Sequence, residues 1–256
     1  MIPSPSSVER STLHEARARL AAARVVLCDV DGCLVESGAP CPGAIDFVAR
    51  IGERLRLVTN NSTDLAATLA ARLAAIGLPV PAERCFLAGE LAVDHLARHH
   101  AGATAMIVGT RAIRARAEDL GLRTTTDRPD VVLLCNDPSF DVGHLQRLVT
   151  AAHHGVPIVV ANPDRWRPDR TGRPLIETGV LLAALRAAVP NAAVTVVGKP
   201  EPTIFRAALA GVEPPDAVMI GYNRETDLVG AEAIGMAAIQ IGRGHRAVAA
   251  DLGALS

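Results

Sequence analysis

Two aspartates, Asp29 and Asp31, stand on either side of a single residue and are followed by Gly32. They come directly after the apolar run Arg24-Val25-Val26-Leu27-Cys28. Two carboxylates this close can divide phosphoryl chemistry between them. One is a nucleophile that becomes an aspartyl phosphate; the other protonates the leaving oxygen and then activates water. Gly32 lets the chain turn away sharply behind them. Taken alone, the same residues also make an ordinary surface turn after a strand, since Asp-Gly is common in turns. Three further polar clusters follow apolar runs: Thr59-Asn60-Asn61-Ser62, Gly198-Lys199-Pro200-Glu201-Pro202, and Gly221-Tyr222-Asn223-Arg224-Glu225-Thr226-Asp227.

The elements that must position these clusters can be read from the same sequence. Val25–Cys28 is a short run rich in β-branched residues that ends in acid and glycine, the pattern of a buried parallel strand. Leu55–Thr59 repeats it, and Ser62 or Thr63 can cap a helix running to about Ile76. Val194–Val197 precedes the lysine cluster, with Pro202 suited to the first turn of the helix after it. Ala217–Ile220 precedes the last cluster, and a final strand is expected at Ala237–Ile241. Between Pro81 and the lysine cluster, strands at 104–108, 131–135 and 157–161 alternate with helices at about 90–99, 111–120 and 144–154. That block is α/β in its own right and large enough to be a lobe. The expected fold is a doubly wound α/β, Rossmann-like core formed by residues 1–81 and 183–256, with a smaller α/β domain at 82–182. Parallel strands joined by right-handed crossovers put their C-terminal ends on one edge, where such folds bind ligands. The segment 11–23 has helix-forming composition and is assigned no role.

Asp29-Val30-Asp31-Gly32-Cys33-Leu34 resembles the first motif of haloacid dehalogenase superfamily phosphatases, and the other clusters resemble the remaining motifs in order. Pro42-Gly43-Ala44, Ala161-Asn162-Pro163-Asp164 and Gly198-Lys199-Pro200-Glu201-Pro202 place the likeness in the phosphoglycolate phosphatase, nitrophenylphosphatase and NagD-like branch. The similarity covers about residues 24 to 242, and the insert between the second and third motifs matches that branch's α/β cap. The resemblance implies Asp29 as nucleophile and Asp31 as acid and base. It implies Thr59, with the amides of Asn60 and Asn61, as a phosphate-oxygen cradle near a helix N-terminus. Lys199 is implied as the cation that offsets gathered negative charge. Cap residues from Asn162 to Thr178 are implied to face the substrate, a small phosphorylated metabolite. Caps of this group often mediate homodimers, so the resemblance allows a homodimer through the cap, and the sequence leaves the oligomeric state open.

One position departs from the pattern. The fourth motif, Gly-Asp-x-x-x-x-Asp, has Tyr222 in place of its first aspartate, and Tyr222 is the only tyrosine in the chain. In the family that aspartate binds Mg²⁺ together with the nucleophile's carboxylate and the backbone carbonyl two residues on. The resemblance thus implies a site of Asp29, Asp31 and Asp227, lacking the anionic oxygen that Mg²⁺ prefers at position 222. Asp227 is implied to hold a metal-bound water or to orient Lys199. Hydrolysis of a phosphomonoester is the leading expectation. Two others stay open: a degenerate phosphatase that binds a phosphorylated ligand or a protein partner, and a site recruited to another reaction on a phosphate or diphosphate.

Composition excludes several classes. A net charge of -1 without clustered cations offers no footprint for nucleic acid. No apolar run approaches the roughly 18 residues of a membrane span, and the first 24 residues lack the apolar stretch of a secretory signal, so a cytoplasmic protein is expected. Five cysteines without CxxC spacing suggest neither a disulfide framework nor a zinc site. Cys33 reads as a small core residue. His153 and His154 read as helix-end residues. Trp166 is read either as cap core or as substrate contact. Gly242-Arg243-Gly244 lacks the context of a dinucleotide site.

Overall fold

The computed structural model describes residues 7–169, 171, 173–242 and 247–255; Arg243 and Gly244 of the glycine-rich end lie outside them. Its strands are β1 Val25–Cys28, β2 Val35–Glu36, β3 Ala39–Pro40, β4 Leu55–Thr59, β5 Cys85–Leu87, β6 Thr104–Val108 and β7 Arg123–Thr124. They continue as β8 Val131–Leu134, β9 Ile158–Val160, β10 Trp166–Pro168, β11 Pro174–Ile176, β12 Val194–Val196, β13 Ala217–Gly221 and β14 Ala237–Gln240. The α-helices are α1 Ser7–Ala22, α2 Ala44–Ile51, α3 Ala66–Ala75, α4 Ala88–His99, α5 Arg111–Asp119, α6 Val142–His153, α7 Thr178–Ala188, α8 Pro202–Leu209 and α9 Val229–Ala233. Two compact units divide the chain. The first comprises Met1–Val58, Ala70–Cys85 and Phe205–Ser256; the second comprises Thr59–Leu69 and Phe86–Ile204.

The first unit is built on a sheet in the order β14-β13-β1-β4-β5. β1 pairs in parallel with β13 on one side and β4 on the other, with Cys28 opposite Ile220 and Val26 opposite Leu55. All four residues of β1 are buried, as an unbroken apolar run between two covered faces requires. Helix α2 turns Phe47, Val48 and Ile51 into the core and keeps Asp46 and Arg50 near its ends, matching the dipole. The N-terminal helix α1 packs, with Ala16 and Leu20 buried. Arg54 fixes its end by donating to the carbonyls of Leu20 and Ala23, at 3.2 and 2.7 Å.

The second unit holds another five-stranded sheet, β12-β9-β8-β6-β7, parallel throughout. Val132, Leu134, Ile158 and Val160 from its strands meet Leu148 of α6 and Leu182 and Leu185 of α7 in one apolar cluster. Helix α6 starts in a capping box, with the Asp141 carboxylate accepting from the His144 N–H and the His144 ring meeting the Asp141 N–H. Val194–Val196, expected to share a sheet with the other motif-bearing strands, pairs instead with β9. The reason is the crossover through α7, which returns the chain beside the strand it left. Parallel sheets flanked by helices make both units α/β. Among the described residues no helix is long and apolar enough to cross a membrane.

Candidate active site

In the first unit the Asp29 N–H donates to the Ile220 carbonyl at 2.9 Å, continuing the β1–β13 ladder one residue past the strand. The nucleophile candidate is thereby held at a strand end, only 5% exposed. The turn behind it is closed by the Leu34 and Val35 N–H groups, both donating to Val30 O at 2.9 Å, and by Gly32 N–H donating to Val35 O at 2.8 Å. Asp31 projects from this turn and is exposed. Two adjacent acids therefore have opposite surroundings, one enclosed and one wet.

Beyond β13 the chain enters a π-helical turn, Arg224–Leu228, a geometry often found at functional sites. Asp227 lies within it, wholly buried, and accepts from the Asn223 N–H at 3.0 Å. Cys33 sits close to both Asp29 and Asp227. Its thiol is pushed well above its usual range, first by a hydrogen bond with Cys28, then by burial and by the charges of Cys28 and the two carboxylates. The Cys28 and Cys33 sulfurs are 3.5 Å apart and both thiols are free. Tyr222 is 45% exposed, with its ring against Gly32.

The second unit carries the other candidates. Thr59 ends β4, buried, and its Oγ1 accepts from the Asn61 N–H at 3.1 Å. Asn61 spends its side chain on the turn into α3. Its Oδ1 accepts from the N–H groups of Thr63 and Asp64, both at 2.9 Å, and its Nδ2 donates to the Asp64 carboxylate at 2.9 Å. The helix start expected from Ser62 or Thr63 is met differently: Glu90 of α4 accepts the Ala66 N–H at 2.9 Å. Ser62 is engaged elsewhere, accepting from the Asn136 N–H at 3.1 Å and meeting the Thr178 hydroxyl at 3.2 Å. Lys199 is 2% exposed. The Asn60 amide bonds both the N–H and the carbonyl of Lys199, and Asn162 bonds the Asn60 carbonyl.

The donors of the first unit suit a hard divalent cation. Asp29 and Asp227 are buried carboxylates, and the Asp31 carbonyl is a third oxygen; all-oxygen shells are what Mg²⁺ selects. The described residues contain no cluster of three or more His, Cys, Asp or Glu side chains able to hold a metal. Such an ion would complete its shell with backbone oxygen, water or the substrate. The Tyr222 phenol is a weaker donor than the carboxylate the pattern calls for.

Sequence reading passed over a set of residues at the C-terminal edge of the second sheet. Thr110 follows β6 and donates to Thr63 O at 2.8 Å. Asn136 and Asp137 follow β8. Asn136 donates to the Glu177 carboxylate at 3.0 Å, and Asp137 accepts from Arg114 at 2.5 Å. Glu177 is buried, and burial raises its pKa; Arg167, at 2.7 Å, and Asn136 pull it back down. The signal for these residues was present, since Val131–Leu134 runs into Cys135-Asn136-Asp137 just as the motif-bearing strands run into their polar ends.

The first unit thus carries two acids at the end of a central parallel strand, and the second carries a buried threonine that ends one strand and a buried lysine that follows another. The model of haloacid dehalogenase-like hydrolases matches residues 26–123, and that of HAD-like hydrolases matches residues 196–254. Chronophin of Mus musculus is 30% identical over 86% of this chain and 81% of its own length. The chain belongs to the haloacid dehalogenase-like hydrolases, in their NagD and nitrophenylphosphatase branch. D-glycerol 3-phosphate phosphatase of Mycobacterium tuberculosis is 31% identical over 84% of this chain, which spans 62% of that relative's length. Ribonucleotide monophosphatase NagD of Escherichia coli is 28% identical over 84% of this chain and 86% of its own length. The glycerol phosphate phosphatase of Mycobacterium tuberculosis has been solved in complex with magnesium. It superposes with a TM-score of 0.80 at 30% identity, covering 88% of this chain and 70% of that one.

Proposed function

We propose that the protein hydrolyses a small phosphomonoester in two steps. The Asp29 carboxylate attacks phosphorus while Asp31 gives its proton to the departing alcohol oxygen. Asp31, now ionised, takes a proton from the water that cleaves the aspartyl phosphate, releasing inorganic phosphate and restoring both acids. Thr59, with the Asn60 and Asn61 amides, and Lys199 hold the phosphoryl oxygens in this scheme, and Asn162 belongs to the substrate-facing segment of the cap. Asp29, the Asp31 carbonyl and Asp227 are the candidate holders of Mg²⁺, which when bound offsets repulsion between carboxylate and phosphate. The observation that carries the reading is the contrast within the acid pair. The nucleophile is enclosed at a strand end; the proton carrier two residues on reaches solvent.

The relatives named above act, by their names, on a glycerol phosphate and on ribonucleotides, which supports a small phosphorylated metabolite as substrate. Trp166 and Ile176, cross-strand neighbours on the β10–β11 hairpin, are 61% and 60% exposed. They support a cap that meets substrate or a second copy in a homodimer. Five free thiols are in keeping with a reducing, cytoplasmic setting. Tyr222 supports a second reading, in which the same site binds a phosphorylated ligand or performs another reaction on a phosphate or diphosphate.

The test is phosphate release from a panel of sugar, polyol, nucleoside and aryl phosphates, with and without Mg²⁺, with products identified by mass. Hydrolysis of at least one ester, stimulated by Mg²⁺ and lost in Asp29→Asn, is the expected result. A folded protein that releases no phosphate from any of them overturns the proposal in favour of the second reading.

A further inference from the structure

We propose that the side chains of Asn60 and Asn162 form a two-amide relay that fixes Lys199 in place, and that these side chains serve phosphoryl transfer through the lysine and not by contact with the substrate. The inference rests on the reading of Lys199 as the phosphoryl-binding cation. Lysine and arginine together number 26, and Lys199 is the only lysine among them. A chain that uses arginine at every other cationic position keeps an ammonium here. The two cations differ in shape: guanidinium is a broad planar fork, whereas ammonium is a compact charge on a flexible four-carbon stem. A flexible stem gives a well-placed charge only if its root is held.

The root of Lys199, in the turn between β12 and α8, is held by a residue 139 positions away. Asn60 Oδ1 accepts from the Lys199 N–H at 2.8 Å, and Asn60 Nδ2 donates to the Lys199 carbonyl at 3.0 Å. A primary amide offers a donor and an acceptor side by side, so it grips both polar groups of one residue. Asn60 is gripped in turn. Its carbonyl accepts from Asn162 Nδ2 at 2.6 Å, while Asn162 Oδ1 accepts from the Asp164 N–H at 3.0 Å. Both asparagines are buried. The relay therefore ties together three stretches of the second unit that are far apart in sequence, at Asn60, Asn162 and Lys199.

Gly198 makes the close approach possible. Its N–H donates to Ala161 O at 2.7 Å. A Cβ there would stand 2.5 Å from that oxygen and 2.6 Å from Asn60 Oδ1. Sequence reasoning assigned Asn60 and Asn162 to the substrate, yet both ends of each amide are engaged with the protein's own backbone. They are positioning residues: a displacement of about 1 Å in a catalytic group can cost on the order of 100-fold in rate.

Two measurements on the full chain test this. In the first, [13Cε]lysine labelling gives one ε-CH₂ signal, that of Lys199. In Asn60→Ala and in Asn162→Ala it is expected to move toward the shift of free lysine and to lose its response to inorganic phosphate. Asn60→Asp keeps the acceptor for the Lys199 N–H and should fall between. The second is a double-mutant cycle on hydrolysis of an aryl phosphate. Asn60→Ala should lower kcat by about 10- to 100-fold, and should cost nothing further once Lys199→Ala is present. An unmoved lysine signal in folded Asn60→Ala, or losses that multiply in the double variant, overturns the relay. Where Asn60→Ala does not fold, Asn60→Asp and Asn162→Ala decide by the same readouts. A wild-type protein that hydrolyses no ester sinks the proposed function, and the lysine signal then decides the relay alone.

Discussion

The ring of Tyr222 lies on the backbone of Gly32: a Cβ added to Gly32 would stand 2.9 Å from Tyr222 Cε1 and 3.0 Å from Cδ1. The residue that departs from the family pattern is thus packed on the turn that carries the two acids. Gly32 also has φ +76, a left-handed conformation that costs a side-chain-bearing residue about 1–2 kcal/mol. Gly32→Ala is expected to lower stability by at least that amount, and by less when combined with Tyr222→Ala, which removes the clash. Urea unfolding of the two single variants and the double variant measures both quantities. Equal losses from Gly32→Ala in both backgrounds would show that the ring exerts no steric force there.

Tyr222→Asp returns a carboxylate to the position where the family places one. Mg²⁺ releases its waters reluctantly and favours anionic oxygen, so the variant is expected to bind it more tightly and to hydrolyse aryl phosphate faster. Calorimetric titration and turnover in one buffer check this. If neither improves, the phenol is a working part of an altered site, donating a hydrogen bond that a carboxylate cannot.

Asp29→Asn preserves shape and removes the nucleophile, so turnover should vanish while the unfolding midpoint stays near the wild-type value. Asp31→Asn is expected to reduce kcat by about 100- to 10,000-fold with binding largely retained. Steady-state kinetics beside phosphate binding separates the two roles. Parallel losses of rate and affinity in Asp31→Asn would make it a binding residue.

Trp166 is 61% exposed on the β10–β11 hairpin, so Trp166→Ala should change stability by no more than about 0.5 kcal/mol. Its expected effect is on preference among esters, as is that of Arg173→Ala. The ratio of kcat/KM between a bulky and a small phosphomonoester is the readout. An equal loss on both would remove the hairpin from substrate selection.

The cysteines are expected to resist alkylation while the protein is folded. Cys28, Cys33, Cys85 and Cys135 are buried. Cys41, less enclosed, has its thiol pushed up to about 11 by burial, with Glu36 adding to it. A raised pKa leaves the thiol protonated until the pH nears that value, and only the thiolate is a good nucleophile. Iodoacetamide at neutral pH should label none of the five cysteines in the native state and all of them after unfolding. Rapid native labelling of Cys33 would reveal an opening near Asp29.

The residues able to do chemistry were legible in the sequence because they occupy one kind of place. Polar clusters after short apolar strands mark the ligand edges of parallel sheets, and that rule singled out the clusters that hold Asp29, Thr59, Lys199 and Asp227, while the family resemblance supplied their candidate roles. Periodicity alone could not reveal which sheet a strand joins. Val194–Val196 reads like the other strands, and only pairing with β9 puts it in the second sheet.

What the sequence determined by itself was therefore the class of fold, since that follows from local pattern: residue type, spacing and strand-to-helix alternation; the same pattern, with the family resemblance, supplied the candidate reactive groups. Side-chain direction was decided by tertiary structure. Asn60 and Asn162 lie 102 residues apart, and nothing local indicates that one amide grips the backbone of the other, or that Asn60 closes on a lysine 139 residues away. The packing of Tyr222 on Gly32 likewise joins the ends of two strands that are neighbours only in the folded sheet. Hydrogen bonds and ring contacts of this kind act over a few ångströms, and only the folded chain brings such distant residues that close.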